Sequence, residues 1–438
     1  MGESSTVQHR DRPWRKPLAG LAMAVCAVLT ASCSSVPASS TEPAASEESI
    51  APAPTIEIVP AQGGQKVRPD KRIVVTASGG ALQEVNVTSA DGKSVIEGRF
   101  SKDNSRWVST ETLRPSTRYT VTASAEGQGG TAQATSEFRT LTPARQLKVA
   151  DVTPAVKGEK VGVGAPIIVT FNQPVANKAA VERALKVEAE KPVEGAWRWV
   201  ADNQVIYRTA KFWPAHQKVT LNADLTGVRA AKDMYGVEDT TTVIRIGARQ
   251  ISTVDTRSKT MIVKRDGKVV QKMLISAGKA TTREYTTTSG IHLTMEKANP
   301  VRMISPGRKK GDPEYYDVLV NHAVRISNSG EYVHAKDNVW AQGRQNVSHG
   351  CINARPDQAK WFYEQSQRGD VVIIKGTDRE LEWNNGWGFW QLSFEEWKKG
   401  SALKDDERST TSPDEDSSQN QQNQQEQTDQ EPVEAPAA

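Results

Sequence analysis

The run Ser348-His349-Gly350-Cys351-Ile352-Asn353 gathers a thiol, an imidazole, a hydroxyl and an amide, and a second imidazole, His334, ends Glu331-Tyr332-Val333-His334 upstream. A thiol attacks carbonyls as thiolate, which a neighbouring imidazole or the positive end of a helix helps to form. Cys351 has both within reach. His334 closes a strand-like run, His349-Gly350-Cys351 reads as a turn, and Pro356 marks a helix start a few residues on. Gly350 permits close backbone approach, and successive amides in such a turn can point at a developing oxyanion. The set supports covalent acyl transfer.

Each residue also has a plainer reading. Free cysteines are usually buried and inert, and at least one of the two histidines is expected to be a hydrogen-bonded structural residue. One cysteine with two histidines suggests zinc, but the fourth ligand and the close-paired spacing are lacking, so neither metal nor cofactor is expected. His216, His292 and His322 sit in strand-like runs and read as structural.

These residues need a scaffold. From about Gln250, Ser258–Lys264 and Val269–Leu274 flank Asp266-Gly267, which predicts a hairpin. Thr286–Met295 reads as strand. Between Glu296 and Asp317 periodicity is lost amid Pro300, Pro306, Gly307, Gly311 and Pro313, with Arg302, Arg308, Lys309 and Lys310. A long basic loop inside a compact unit is more often functional than idle. Strands resume over Val318–Ser327 and Glu331–His334. A helix then runs from Pro356 with Ala359, Phe362, Tyr363 and Ser366 on one face, closed by Gly369 and followed by the buried strand Val371-Val372-Ile373-Ile374. Trp383, Trp387, Trp390 and Trp397 crowd the next segment, which is expected to pack against this unit.

Upstream, short alternating runs broken by Gly, Asp and Pro indicate antiparallel sandwiches. They repeat. Val59-Pro60 with Ile73–Thr76 is echoed by Thr153-Pro154 with Ile167–Thr170, and Leu113–Ala123 by Phe212–Ala223. Two tandem immunoglobulin-like β-sandwiches account for both the alternation and the period. Neither contains an acid/base pair or metal-ligand spacing, so both read as spacers by default, with weak binding modules as the alternative.

Arg10, Arg12, Arg15 and Lys16 precede an apolar stretch, Leu18–Leu29, then small residues before Cys33, the order of a secretory signal. Leu29-Thr30-Ala31-Ser32-Cys33 resembles a bacterial lipobox, which implies a lipidated Cys33 and a membrane tether. Cys26 falls inside the signal, so Cys351 is then the one thiol left free, in a compartment where an idle exposed thiol has little reason to persist. The formal charge of +4 splits, since residues 404–438 hold ten acidic and two basic side chains and leave +12 on the rest. A dispersed, solvated charge excess is the default reading of this basic body; if it has a partner, export favours anionic wall polymers or lipid over nucleic acid, which is not expected.

The Ser348–Asn353 run, with Tyr332-Val333-His334, Ala341-Gln342-Gly343, Trp361-Phe362-Tyr363 and Arg368-Gly369-Asp370-Val371-Val372, resembles the catalytic domain of L,D-transpeptidases of the multi-domain actinobacterial type. The resemblance covers about 250 to 398. It implies a mainly β chain: signal peptide 1–32, tether 33–54, immunoglobulin-like domains 55–146 and 147–249, a β-rich catalytic domain 250–376 with a short helix, a small Trp-rich subdomain 377–403, and a disordered acidic, Gln-rich tail 404–438. It implies Cys351 as nucleophile and His334 as base, with the Ala335 carbonyl orienting the imidazole. His349, Gly350 and Cys351 would line the oxyanion hole, supported by Ser348 and Asn353, and Met303, Arg302, Tyr316 and Trp340 are candidate substrate contacts. Family members carry a Tyr-Gly pair in the lid where this chain has Ser305-Pro306-Gly307, and Tyr315 or Tyr316 is a candidate substitute.

The implied partners are peptidoglycan stem tetrapeptides, as donor and acceptor, and the membrane through a lipid anchor, with the protein a monomer on the outer face. An L,D-carboxypeptidase and a non-catalytic wall-binding lipoprotein remain open alternatives.

Overall fold

The structure is a computed structural model and describes residues 52–404 apart from Lys93. The expected signal segment, Cys33, most of the tether and the tail beyond 404 lie outside the described residues. Among the described residues no helix is long and apolar enough to cross a membrane.

Period-two alternation becomes strand where the sequence carries it. In Arg118–Gly127, Tyr119, Val121, Ala123 and Ala125 are buried in turn, and the strand pairs with Ala81–Ser89 and Gly130–Arg139. That three-stranded sheet shares one core with a four-stranded sheet containing Thr55–Val59, Val74–Ser78 and Arg106–Ser109. Residues 149–246 form two further four-stranded sheets, closed on a core that includes Val169, Trp197, Val205 and Leu221. The repeat is visible in the backbone. Pro60 and Pro154 both follow cis bonds, and Ser116 and His216, just ahead of the echoing strands, both have φ of 58°.

The next unit contains β1 (Gln250–Asp255), β2 (Thr260–Arg265), β3 (Lys268–Ser276), β4 (Gly290–Leu293), β5 (Lys297–Ala298), β6 (Val301–Ile304), β7 (Asp317–Val320), β8 (Ala323–Arg325), β9 (Tyr332–Ala335), β10 (Ile352–Ala354) and β11 (Val371–Lys375). Nine of these strands form one sheet, in the order β4-β11-β1-β2-β3-β10-β9-β8-β5. The Asp266-Gly267 turn between β2 and β3 has both residues at positive φ, 48° and 81°, as a two-residue hairpin requires. Helix α1 (Pro356–Gln365) begins at the expected proline and buries Ala359 and Phe362 against Val333, Ala335, Ile352 and Ala354. It ends at Ser366, whose ψ of 141° has left the helix. Gly369, at φ 88°, makes the next turn rather than closing α1.

Two further expectations are corrected. The basic loop is in part a hairpin: β6 and β7 pair from Val301 opposite Val320 to Ile304 opposite Asp317, leaving Ser305–Tyr316 as its loop. β7 falls where strand was expected to resume, whereas β6, four residues with none fully buried, lies inside the Pro- and Gly-punctuated stretch that reads as loop.

The Trp-rich segment docks mainly on the sheets of residues 149–246 instead of on the nine-stranded unit. Buried Arg208 donates to the carbonyls of Phe389 at 2.7 Å and Leu392 at 2.9 Å and lies over the Trp390 and Trp397 rings. Trp397, fully buried, donates Nε1–H to the Ala196 carbonyl at 2.9 Å, and Trp390 donates to that of Gly164 at 3.0 Å. Gln391 reaches the other way and accepts the Ile291 N–H at 2.6 Å. The segment straps a joint that also holds the Arg368–Glu159 ion pair and the Gly164 N–H to Gly369 carbonyl bond at 3.0 Å. Aromatic content signals that such a segment must be buried, but Arg208, which receives it, lies 181 positions from Phe389.

Candidate active site

Strands β9 and β10 run parallel, with Val333 opposite Ile352, His334 opposite Asn353 and Ala335 opposite Ala354. Val333, Ala335, Ile352 and Ala354 point into the core beneath α1. By alternation His334 and Asn353 share the opposite face, and Cys351, one residue before β10, shares it too. The sheet therefore brings together the residues that the sequence separates by seventeen positions.

The His334 ring is 5% exposed and its Nδ1 lies 2.9 Å from the Ala335 carbonyl. A carbonyl only accepts, so Nδ1 carries the proton and Nε2 keeps its lone pair. Burial pushes the imidazole down to about 4. Cys351 is half-buried, and its Sγ meets the Gly330 carbonyl at 3.6 Å and the Tyr332 N–H. Burial, with a smaller push from the Glu331 carboxylate, raises the thiol to about 12 against the Tyr332 bond. At neutral pH the resting pair is thiol and neutral imidazole, not thiolate and imidazolium.

The turn ahead of the thiol is held on itself. Ser348 Oγ donates to the Cys351 carbonyl at 2.6 Å and accepts the Gly350 N–H at 3.1 Å, so the Gly350 amide is turned inward rather than toward an oxyanion. Gly350 sits at φ 132°, and Thr287 Oγ1 donates to its carbonyl at 2.7 Å. Buried Asn353 faces His334 across the ladder.

His349 points to the hairpin loop. Its Nε2 lies 2.8 Å from Glu314 Oε2, and its ring stands edge-on to Tyr285 at 4.6 Å and packs on Tyr316 at 5.0 Å. Lys279 Nζ holds the other Glu314 oxygen at 2.7 Å. Tyr316 is thus held against His349 near the thiol; burial raises its phenol, and the Cys351 side chain adds to that. Arg302 is engaged by Asp317 through two bonds at 2.7 and 2.6 Å, and Arg308 pairs with Glu284 at 2.9 Å. Met303 is half-buried on β6, while Trp340 is 60% exposed. A polar cavity of about 720 Å³, lined in part by Arg283, Thr288, Ser329 and Arg379, lies beside this segment; neither Cys351 nor His334 lines it. Among the described residues no group of three or more His, Cys, Asp or Glu is placed to hold a metal ion.

Sequence reasoning missed Glu331, Thr287, Thr288, Glu314 and Lys279, and assigned His292 no more than a structural part. One signal was available: Glu331 has the parity of Val333 and Ala335, the buried face, where a carboxylate needs partners.

The model of the L,D-transpeptidase catalytic domain matches residues 249–374, and that of a bacterial Ig domain matches residues 64–229. L,D-transpeptidase 2 of Mycobacterium tuberculosis is 36% identical over 344 residues, 78% of this chain and 83% of that protein. The chain belongs to the L,D-transpeptidase family. L,D-transpeptidase 5 of the same species is 34% identical, over 80% of this chain and 78% of that protein. This L,D-transpeptidase is an active peptidoglycan-crosslinking enzyme that works through its catalytic domain. It is mainly β, with an Ig-like domain ahead of the β-rich catalytic domain, and its family is consistent with an exported, cell-wall-associated enzyme.

Proposed function

We propose that the enzyme forms 3→3 crosslinks between tetrapeptide stems with Cys351 as nucleophile and His334 as base. The observation that carries this is the shared face of His334 and Cys351, with the His334 tautomer fixed by Ala335. As substrate arrives, Nε2 of His334 takes the thiol proton and the sulfur attacks the amide between the diamino acid at stem position three and the terminal D-Ala. The C–S bond forms, the C–N bond breaks, and the imidazolium returns its proton to the departing D-Ala amine. The side-chain amine of a second stem then attacks the thioester, forming a new amide and releasing the thiolate, which recovers a proton. One amide replaces another, so no nucleotide is needed outside the membrane. The amides of His349 and Cys351 receive the oxyanion, Ser348 and Asn353 hold the turn, and Met303, Tyr316 and Trp340 meet the stem.

The same reading assigns two tandem immunoglobulin-like domains, 55–146 and 147–249, as a spacer for the catalytic domain 250–376, with 377–403 as a strap. The sheet pairs on either side of residue 147 and the echoed backbone features support it. Lipidation of Cys33 after removal of residues 1–32 would anchor a monomer to the outer face of the membrane. The lipobox-like Leu29–Cys33 run supports that anchor.

Incubation with a purified disaccharide-tetrapeptide tests the reading. It predicts a dimer whose mass is that of two monomers less one D-Ala. Tripeptide monomer alone would instead make water the acceptor, as in a carboxypeptidase.

A further inference from the structure

Beneath the thiol lies a buried ionisable group to which the acyl transfer above assigns no part. Glu331 is 5% exposed and His292 is fully buried. Thr288 answers both carboxylate oxygens, its N–H donating to Oε1 and its hydroxyl to Oε2, each at 2.7 Å. The same hydroxyl lies 2.8 Å from His292 Nε2, which is 3.7 Å from Glu331 Oε2. Burial works to raise the carboxyl, but the His292 and Thr288 contacts together outweigh it and hold it below its ordinary value. Keeping a charge with so little solvent costs several kcal/mol before its partners compensate.

Its neighbours touch the sulfur. Gly330, just before Glu331, presents its carbonyl to Cys351 Sγ, and Tyr332, just after, presents its N–H. Thr287, beside Thr288, donates to the Gly350 carbonyl and receives the Gly278 N–H at 2.8 Å. Adjacent threonines therefore grip both chain segments that meet at the sulfur, one through Gly350 and the other through Glu331. The Glu331 N–H is fixed as well, on Ser327 Oγ at 3.1 Å. Its Cγ lies 3.8 Å from where a side chain on Gly350 would begin.

We propose that Glu331, clamped by Thr288 and His292, is a positioning residue for crosslinking that sets the Gly330–Tyr332 segment against the Cys351 sulfur. The proposal rests on Cys351 as the nucleophile. The clamp acts on placement and touches no reacting atom, so its loss shows in the chemical step. Displacing a reacting group by about 1 Å costs on the order of a hundredfold in rate.

The test compares Thr288→Val, Thr288→Ser and Glu331→Gln in the full chain, measuring D-Ala release and Cys351 acylation from a disaccharide-tetrapeptide. Thr288→Val keeps the volume and removes the hydroxyl, and is expected to lower kcat by roughly ten- to a hundredfold with KM nearly unchanged. Glu331→Gln should reproduce that loss, whereas Thr288→Ser, which keeps the hydroxyl, should stay within about threefold of the parent. A folded Thr288→Val and a folded Glu331→Gln that both acylate at the parent rate would overturn the proposal. So would Ser failing as badly as Val, or both Thr288→Val and Glu331→Gln failing to fold, which would make the cluster purely structural. A parent enzyme that gives no Cys351 adduct marks the different failure, that of the nucleophile assignment.

Discussion

The Glu314 carboxylate, in the loop between β6 and β7, accepts the Nε2–H of His349 at 2.8 Å, which fastens the lid two residues ahead of the thiol. Lys279 holds the second oxygen, and the Lys279 and His349 hydrogen bonds keep the Glu314 carboxyl below its ordinary value. Glu314→Gln should loosen the loop without unfolding the protein, because exposed ion pairs add little to stability. Hydrogen exchange checks this. The Ser305 and Tyr316 amides, bonded across the loop base, should exchange several-fold faster with the melting temperature unchanged; unaltered exchange would mean that Glu314 does not hold the lid.

Activity should be insensitive to pH over a wide range. The imidazole lies near 4 and the thiol near 12, so the reactive thiol and neutral imidazole coexist between them. The acylation rate, followed by D-Ala release, should be flat from about pH 6 to 9 and fall only as His334 protonates near 4. An acid limb near 6.5 would contradict a buried neutral base. The same shift carries stability: the folded value is below the ordinary 6.5, so the contribution is complete above 6.5 and is lost as pH falls toward 4, amounting to about 3 kcal/mol.

Asp370 should act in the opposite sense. It is almost wholly buried, with Oδ2 accepting from Gln250 and from the Gln367 N–H while Oδ1 has no partner, and burial raises it to about 7. Below 3.8 both states are protonated and nothing is lost; as pH rises toward 7 the unfolded carboxyl ionises first, costing up to about 4 kcal/mol. Asp370→Asn is therefore expected to raise the melting temperature at pH 8 and leave it nearly unchanged at pH 4. An equal effect at both values would refute the raised carboxyl.

Much of this was legible in the residues. The Ser348–Asn353 run and His334 marked the two segments that β9 and β10 set side by side, Pro356 marked the start of α1, and Asp266-Gly267 marked the β2–β3 turn, because each depends on local backbone chemistry. The clamp on Glu331 was not legible, since Thr288, His292 and Glu331 meet only after β4 and β9 are placed. The first lid strand was missed because Val301–Ile304 is only four residues long, with none fully buried, and sits among the prolines and glycines of the basic loop. For the strap, Trp397 announced burial but not its acceptor on Ala196.

That strap gives a further prediction. Trp397 is fully buried and hydrogen-bonded, so Trp397→Ala should destabilise the protein by about 3–5 kcal/mol. Limited proteolysis should then cut within 377–403 while the parent resists. Resistance equal to the parent would show that the segment is held without it.

Intact-protein mass spectrometry after brief exposure to a disaccharide-tetrapeptide tests the central assignment most directly. A covalent adduct equal to the donor less D-Ala is expected, mapping to Cys351, absent from Cys351→Ala and slow to form in His334→Gln. An adduct on another residue, or crosslinked product formed equally well by Cys351→Ala, would contradict it.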